Sequence, residues 1–257
     1  MAVDVGNSRV KLGLFDHEHP SAASLPAPSR WLDLNPAENG FDAVPPWLEP
    51  LAVREVAWWI GSVERNVSTH MVAWLRTLGA ERITLLASID LPLSVSLPRP
   101  DMVGIDRLLA AVAANALRPP NSPAVVVDLG TAITVDLISP EGAFLGGAIL
   151  PGIGLSASAL FERTDLLPLL DMADLADPPP ALGKGTVEAL RSGIYWGAVG
   201  GVKQLIELLS AEAAGEPSIY LTGGAAPVVA GLLSPKAQHV PHLTLAGIAI
   251  TAAAAAS

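Results

Sequence analysis

The sequence predicts an α/β protein built from two similar halves, and three observations carry that prediction. An apolar strand running into Asp-x-Gly, Val3-Asp4-Val5-Gly6-Asn7-Ser8, returns 124 residues on as Val127-Asp128-Leu129-Gly130-Thr131-Ala132. Each copy is followed by a second strand-like stretch, Arg9 to Phe15 and Ile133 to Ile138. Between the copies, Pro119, Pro120 and Pro123 stop a long helical pattern and mark a boundary. Repetition at equivalent places reads as architecture. The expected domains are 1–118 and 119–257, with the two hairpins facing one another across a cleft.

The elements follow from period and punctuation. Met1 to Phe15 reads as a β-hairpin turning at Gly6 to Ser8. Asp16 to Pro50 is proline-rich and reads as irregular, with a short strand near Leu32. Val53 to Ser62 is mostly apolar and reads as a strand stopping at the cleft with Gly61 and Ser62. Val67, Met71, Trp74, Leu75 and Leu78 share one helical face. Ile83 to Leu86 is a short strand, and Leu91 to Leu97 is irregular or extended. Asp106 to Leu117 is rich in alanine and leucine and reads as a helix.

The second half restarts with a strand from Ala124 to Asp128, whose partner runs to Ile138 and turns at Pro140, Glu141 and Gly142. Ser156 to Leu160 and Val187 to Leu209 read as helices, with Gly193 and Gly197 to Gly201 as points where the second would break. Ile219 to Leu221 is a strand feeding Thr222-Gly223-Gly224, and Leu243 to Ala255 is a closing helix whose late alanines would fray.

Composition excludes several classes. With 51% apolar and 16% charged residues over 257 positions, the chain can bury a large core. A net charge of −10 and the absence of any basic run argue against nucleic acid as partner. There is no cysteine, hence no disulfide, thiolate chemistry or Cys-ligated zinc. The stretch from Ala143 to Phe161 has no charge and the length of a membrane span. Its glycines and Pro151 favour a buried turn and interface segment instead. No signal core opens the chain, so a soluble cytoplasmic protein away from membranes is expected. Of six tryptophans, all but Trp196 fall in the first half and read as packing residues. His17, His19, His70, His239 and His242 show no zinc-site spacing, and the pairs His17/His19 and His239/His242 read as loop residues. P-loop, Gly-x-Gly-x-x-Gly and Gly-x-Ser-x-Gly motifs are missing.

Chemistry concentrates at three places. Asp4 and Asp128 each end a strand at a glycine, Gly6 or Gly130, where backbone amides can cradle phosphate oxygens. Asn7, Ser8, Thr131 and Thr134 add neutral hydrogen-bonding groups, and Lys11 adds a positive charge on the returning strand. Gly104-Ile105-Asp106-Arg107 opens the long helix. Asp106 has two readings there, as the helix N-cap or as a base that takes the proton of an attacking hydroxyl. Arg107 offers a fork for a carboxylate or phosphate. Thr222-Gly223-Gly224 is either a plain strand-to-helix turn or a place where adenine or ribose approaches the backbone.

The ordered set resembles one family, the type III pantothenate kinases. The matching stretches are Asp4 to Lys11, Gly104 to Arg107, Asp128 to Thr134, Gly146 to Gly152, Gly185-Thr186 and Thr222 to Gly224. The resemblance implies duplicated ribonuclease-H-like domains of the acetate kinase, sugar kinase, Hsp70 and actin superfamily, with an interdomain cleft. It implies ATP-dependent phosphorylation of the primary hydroxyl of pantothenate, by direct in-line transfer with Mg²⁺ and a monovalent cation, K⁺ or NH₄⁺. Carried over, Asp4, Val5, Gly6, Asn7, Ser8, Arg9, Val10 and Lys11 line the ATP phosphate site, and Gly130, Thr131, Gly223 and Gly224 also bind ATP. Asp106 is the proton acceptor, and Asp128 holds the monovalent cation. Gly104, Ile105, Asp106 and Arg107 bind pantothenate, with Thr186 reaching it from the partner of a homodimer whose interface the C-terminal domain carries. One departure stands out: Leu97 occupies the position of a usual pantothenate-pocket tyrosine. Leucine keeps apolar contact and loses the hydroxyl. That leaves two alternatives in view, a kinase for another small hydroxyl compound or a nucleotide- and pantothenate-binding regulator.

Overall fold

The computed structural model describes residues 1–16, 25–171, 175 and 177–256. His17 and His19 lie outside these residues. The chain divides into two compact units, Met1–Arg118 with His242–Ser257, and Pro119–Pro241.

The first unit is a five-stranded sheet in the order β3-β2-β1-β4-β5. Its strands are β1 (Ala2–Val5), β2 (Val10–Leu14), β3 (Arg30–Leu34), β4 (Trp58–Ser62) and β5 (Ile83–Leu85). β1 to β3 form an antiparallel meander, while β4 and β5 run parallel to β1. Alternation sends Val3, Val5, Val10, Leu12, Trp58 and Ile60 to one core, where they meet Met71 and Leu75 of α3 (Arg65–Thr77). Glu64 caps α3 by accepting the amide of Val67 at 2.5 Å. The proline-rich stretch read as irregular forms β3 and two short helices, α1 (Pro36–Asn39) and α2 (Val44–Leu48). Prolines stand in the first turn of both, where a missing N–H costs nothing. Trp58 is fully buried and donates its Nε1–H to the Val53 carbonyl at 3.1 Å.

The opposite face carries α4 (Ile105–Leu117) and the last helix, α8 (Leu243–Ala255). The two helices nearly touch at Gly247, where an added Cβ would stand 2.0 Å from the Leu109 carbonyl oxygen. Leu243, Leu245, Ala246 and Ile248 are buried there. The last helix therefore groups with the first unit, whereas the sequence division at 119–257 had put it with the second. An apolar helix suits either half equally; close packing on α4 decides the matter. Its alanines remain helical through Ala255.

The second unit repeats the topology, with order β10-β9-β6-β7-β8. Here β6 (Ala124–Leu129), β7 (Ala132–Ile138) and β8 (Phe144–Pro151) form the meander, and β9 (Ser218–Thr222) and β10 (Ala237–His239) run parallel to β6. Both units thus have the ribonuclease-H-like strand order. One face packs on α6 (Thr186–Glu212) and α7 (Ala226–Leu233) through Val125, Val127, Val135, Tyr195, Val199 and Val202. α6 runs unbroken through its glycines, since a helix packed along one side tolerates them. The uncharged segment read as a buried turn and interface is β8 followed by α5 (Ile153–Glu162); the strand replaces the turn, and α5 contains the helix expected at Ser156 to Leu160. Leu145 and Ile149 on β8 are exposed. His239 belongs to β10 rather than a loop, and His242 precedes α8 in the left-handed region at φ 59°. Among the described residues no helix is long and apolar enough to cross a membrane.

Candidate functional site

In the first unit the residues singled out in the sequence gather at the C-terminal ends of β1 and β4, where open α/β sheets present their ligand sites. Asp4 faces Lys11 across the β1–β2 pair, Lys11 faces Asp33 on β3, and Asp4 faces Gly61 on β4. These residues share one face of the sheet, so Lys11 lies between two carboxylates. The turn between the strands is closed by the Gly6 amide donating to the Arg9 carbonyl at 3.0 Å. Asn7, Ser8 and Arg9 project outward, Arg9 within 3.7 Å of Asp33. Val5 and Val10 have fully buried side chains, so only their backbone can meet a ligand.

Gly61 links this turn to α4. A Cβ there would stand 2.6 Å from Leu109 Cδ1 and 3.9 Å from Ile105 Cγ2, so the first turns of α4 lie over the strand next to Asp4. Gly104 is the N-cap of α4, with Asp106 in the first turn. That answers one sequence alternative: Asp106 is not the cap. Its Oδ1 accepts the Arg107 amide at 2.8 Å, which holds the carboxylate at the positive end of the helix. Asp106 and Arg107 are both half-buried.

Beside them a cavity of about 410 Å³ is lined by Ser62, Leu86, Ser88, Asp101, Met102 and Gly104, among others. Asp101 and Ser62 were not singled out by any motif. Leu97 is half-buried and does not line this cavity.

In the second unit Asp128, one residue before the end of β6, lies between Thr134 on β7 and Thr222 on β9, both buried. Gly223 has φ +93°, and a Cβ on it would fall 2.5 Å from Asp128 Oδ1 and 2.6 Å from the Leu129 backbone. The Ala225 amide donates to the Leu129 carbonyl at 3.2 Å. Thr222-Gly223-Gly224 therefore wraps the acidic end of β6. From the other side the Gly152 amide donates to the Thr131 carbonyl at 3.0 Å. A Cβ on Gly152 would lie 2.4 Å from the carbonyl oxygens of both Gly130 and Thr131. Gly130 and Thr131 are exposed. Thr186 is the first residue of α6, on the rim of an apolar cavity of about 590 Å³ with Leu150, Leu160, Leu167 and Ile194. No group of three or more His, Cys, Asp or Glu side chains suited to a metal ion occurs among the described residues.

The repeated fold, with an acidic glycine turn at the sheet end of each unit, is that of the acetate kinase, sugar kinase, Hsp70 and actin superfamily. Two solved structures share it. The activator of the 2-hydroxyisocaproyl-CoA dehydratase from Clostridium difficile, with bound ADPNP, superimposes with a TM-score of 0.54 at 12% identity, over 98% of this chain and 92% of that one. A putative 2-dehydro-3-deoxygalactonokinase from Sinorhizobium meliloti gives 0.54 at 14% identity, over 99% and 98%.

Sequence relatives narrow the class. Residues 1–208 match the family model for type III pantothenate kinase. The type III pantothenate kinase of Moorella thermoacetica is 33% identical over 264 residues, covering 97% of each chain. That of Acidiphilium cryptum is 32% identical, covering 98% of this chain and 93% of its own. The chain belongs to the type III pantothenate kinase family, and is accordingly an ATP-dependent phosphotransferase.

Proposed function

We propose that the protein transfers the γ-phosphoryl group of ATP to the primary hydroxyl of pantothenate, giving 4′-phosphopantothenate and ADP, the first step toward coenzyme A. The observation that carries this reading is the junction at Gly61, which sets the Asp106–Arg107 turn of α4 on β4 beside Asp4 of β1.

Asp106 accepts the hydroxyl proton as that oxygen attacks phosphorus, and the bond to the ADP oxygen breaks on the opposite side. Its neighbour Arg107 holds an anionic group of the acceptor, with the backbone of Gly104 and Ile105 completing the contact. The amides of the Asp4 to Lys11 turn, with Asn7, Ser8 and Lys11, hold phosphate oxygens; Gly130, Thr131, Gly223 and Gly224 hold the rest of the nucleotide. Phosphoryl transfer asks mainly for positioning and charge stabilisation, which such turns supply.

The donor set at Asp128 suits a monovalent cation: a buried carboxylate oxygen beside the Gly130 and Gly223 backbone, with Thr134 and Thr222 on the flanking strands. Hard cations favour such oxygen ligands. K⁺ or NH₄⁺ would offset phosphate charge there, and Mg²⁺ would come bound to ATP. The protein works in the cytoplasm as a homodimer through the second unit, where Ile149, Phe161, Leu166 and Val187 are exposed. In that arrangement Thr186 reaches the partner's pantothenate.

Leu97 favours one second reading, a related kinase for another small hydroxyl compound. Incubation with ATP, Mg²⁺, K⁺ and a panel of acceptors, followed by product mass, separates the two. The expected product is 4′-phosphopantothenate; phosphate on another acceptor only, with none on pantothenate, would overturn the assignment. Sedimentation equilibrium tests the dimer.

A further inference from the structure

We propose that Asp101 determines acceptor specificity by receiving a hydrogen bond from the donor-bearing middle of the acceptor molecule. This rests on the acceptor reading above and adds to it a residue that no motif marks.

The cavity beside Gly104 is formed by the C-terminal ends of β4 and β5 and the loop that leads into α4. It shares Gly104 and Ile105 with the proposed acceptor contacts and ends one residue short of Asp106. The non-reacting part of an acceptor whose hydroxyl meets Asp106 has this cavity to enter. Asp101 supplies its ionisable wall.

The carboxylate is held in a fork. Arg99 Nε donates to Oδ1 at 2.9 Å and Arg99 Nη2 donates to Oδ2 at 2.7 Å. Two parallel bonds fix the plane of the carboxylate. They leave each oxygen further acceptor capacity. The Arg99 bond also holds the Asp101 carboxyl below its ordinary range, so at neutral pH it only accepts. Ser62, by contrast, is engaged locally: its hydroxyl donates to the Glu64 carbonyl at 2.8 Å and accepts the Glu64 amide at 3.1 Å.

A fixed, acceptor-only group selects for N–H and O–H. Pantothenate carries two such donors between its reacting hydroxyl and its carboxylate: a secondary hydroxyl and an amide N–H. Because the Arg99–Asp101 pair is exposed, water replaces a missing donor, and the discrimination is that of one hydrogen bond to a charged group, about tenfold. Arg99 acts through Asp101 and is a positioning residue.

The test measures kcat and KM for the full chain and for Asp101→Ala, Asp101→Asn and Arg99→Gln. Three acceptors are used: pantothenate, its analogue with the secondary hydroxyl replaced by hydrogen, and its analogue methylated on the amide nitrogen. With pantothenate, Asp101→Ala is expected to raise KM about tenfold with kcat nearly unchanged. Asp101→Asn, which keeps a carbonyl acceptor, recovers part of the loss, and Arg99→Gln raises KM less than Asp101→Ala does. With the analogue that lacks the recognised donor, the parent shows the raised KM and Asp101→Ala adds nothing. The pair is exposed, so all variants should melt like the parent. An unchanged KM in both Asp101 variants, or full additivity on both analogues, overturns this inference while leaving the pantothenate assignment intact. A parent chain that phosphorylates no pantothenate overturns both.

Discussion

Gly223 and Asp128 compete for one volume: a Cβ on the glycine would stand 2.5 Å from the carboxylate Oδ1, at a backbone φ of +93°. The glycine after β9 is thus a condition for the acid at the end of β6. Gly223→Ala should cost about 1–3 kcal/mol of stability from strain and overpacking. The KM for ATP should rise by about tenfold or more, because the Asp128 turn has to shift. Urea denaturation and ATP titration of the initial rate check the two effects separately.

Asp106→Asn keeps the shape of the α4 N-terminus and removes the base. Turnover should fall by about 10²–10⁴ at saturating ATP and pantothenate, with the melting temperature little changed. A near-normal rate in a folded variant would remove Asp106 from the mechanism.

Asp128→Asn tests the cation. At constant ionic strength, the parent rate should rise when K⁺ replaces a large organic cation, and the variant should lose most of that response. A parent indifferent to the exchange would exclude the proposed role.

Two glycines that let α4 pack closely, Gly247 of α8 and Gly61 of β4, differ in what surrounds them. At Gly247 an added methyl meets the Leu109 carbonyl oxygen at 2.0 Å, a backbone atom that cannot turn aside. At Gly61 it meets the end of the Leu109 side chain at 2.6 Å. Gly247→Ala should therefore destabilise by about 3 kcal/mol and Gly61→Ala by about 1 kcal/mol. Gly61→Ala should also lower turnover, since Ile105 and the adjoining Asp106 sit on that contact. Thermal melts and kcat measurements rank the pair.

In the chain beginning at Met1, the α-amino group donates to the Ala57 carbonyl at 2.9 Å. Burial, and then the nearby Arg82 guanidinium, lower its pKa from 8.0 to about 6. The unfolded chain binds this proton more readily than the native one between those values. Stability should therefore increase as pH rises from 6 to 8, by on the order of 2 kcal/mol, and this contribution should be flat on either side. Denaturation midpoints across pH 5–9 check this against the N-acetylated chain, which should lack the increment. Arg82→Gln should reduce it without abolishing it.

Much of this molecule is written locally. Both Asp-x-Gly hairpins, the α3 stripe through Met71 and Leu75, and the helix stopped by Pro119 follow from side-chain period and from glycine and proline, which act on the nearest few residues. The short helices behind Pro36 and Pro45 were hidden because proline signals a break and a helix start alike. Gly193 and Gly197 to Gly201 are points where the helix from Val187 to Leu209 could break, yet α6 passes through them, because packing along its other face outweighs their propensity.

Proximity is what local pattern lacks. Nothing in Leu243 to Ala255 says which sheet its apolar surface covers; Gly247 against Leu109 assigns it to the first unit. Nothing near Gly61 announces that the α4 N-terminus rests on it, or that Gly223 closes on Asp128 across 95 positions of sequence. Asp101 belongs to no motif and gains meaning only from the cavity it walls. A chain specifies its helices and strands through neighbours a few residues apart, whereas a site is assembled from surfaces that meet only once the sheets are packed.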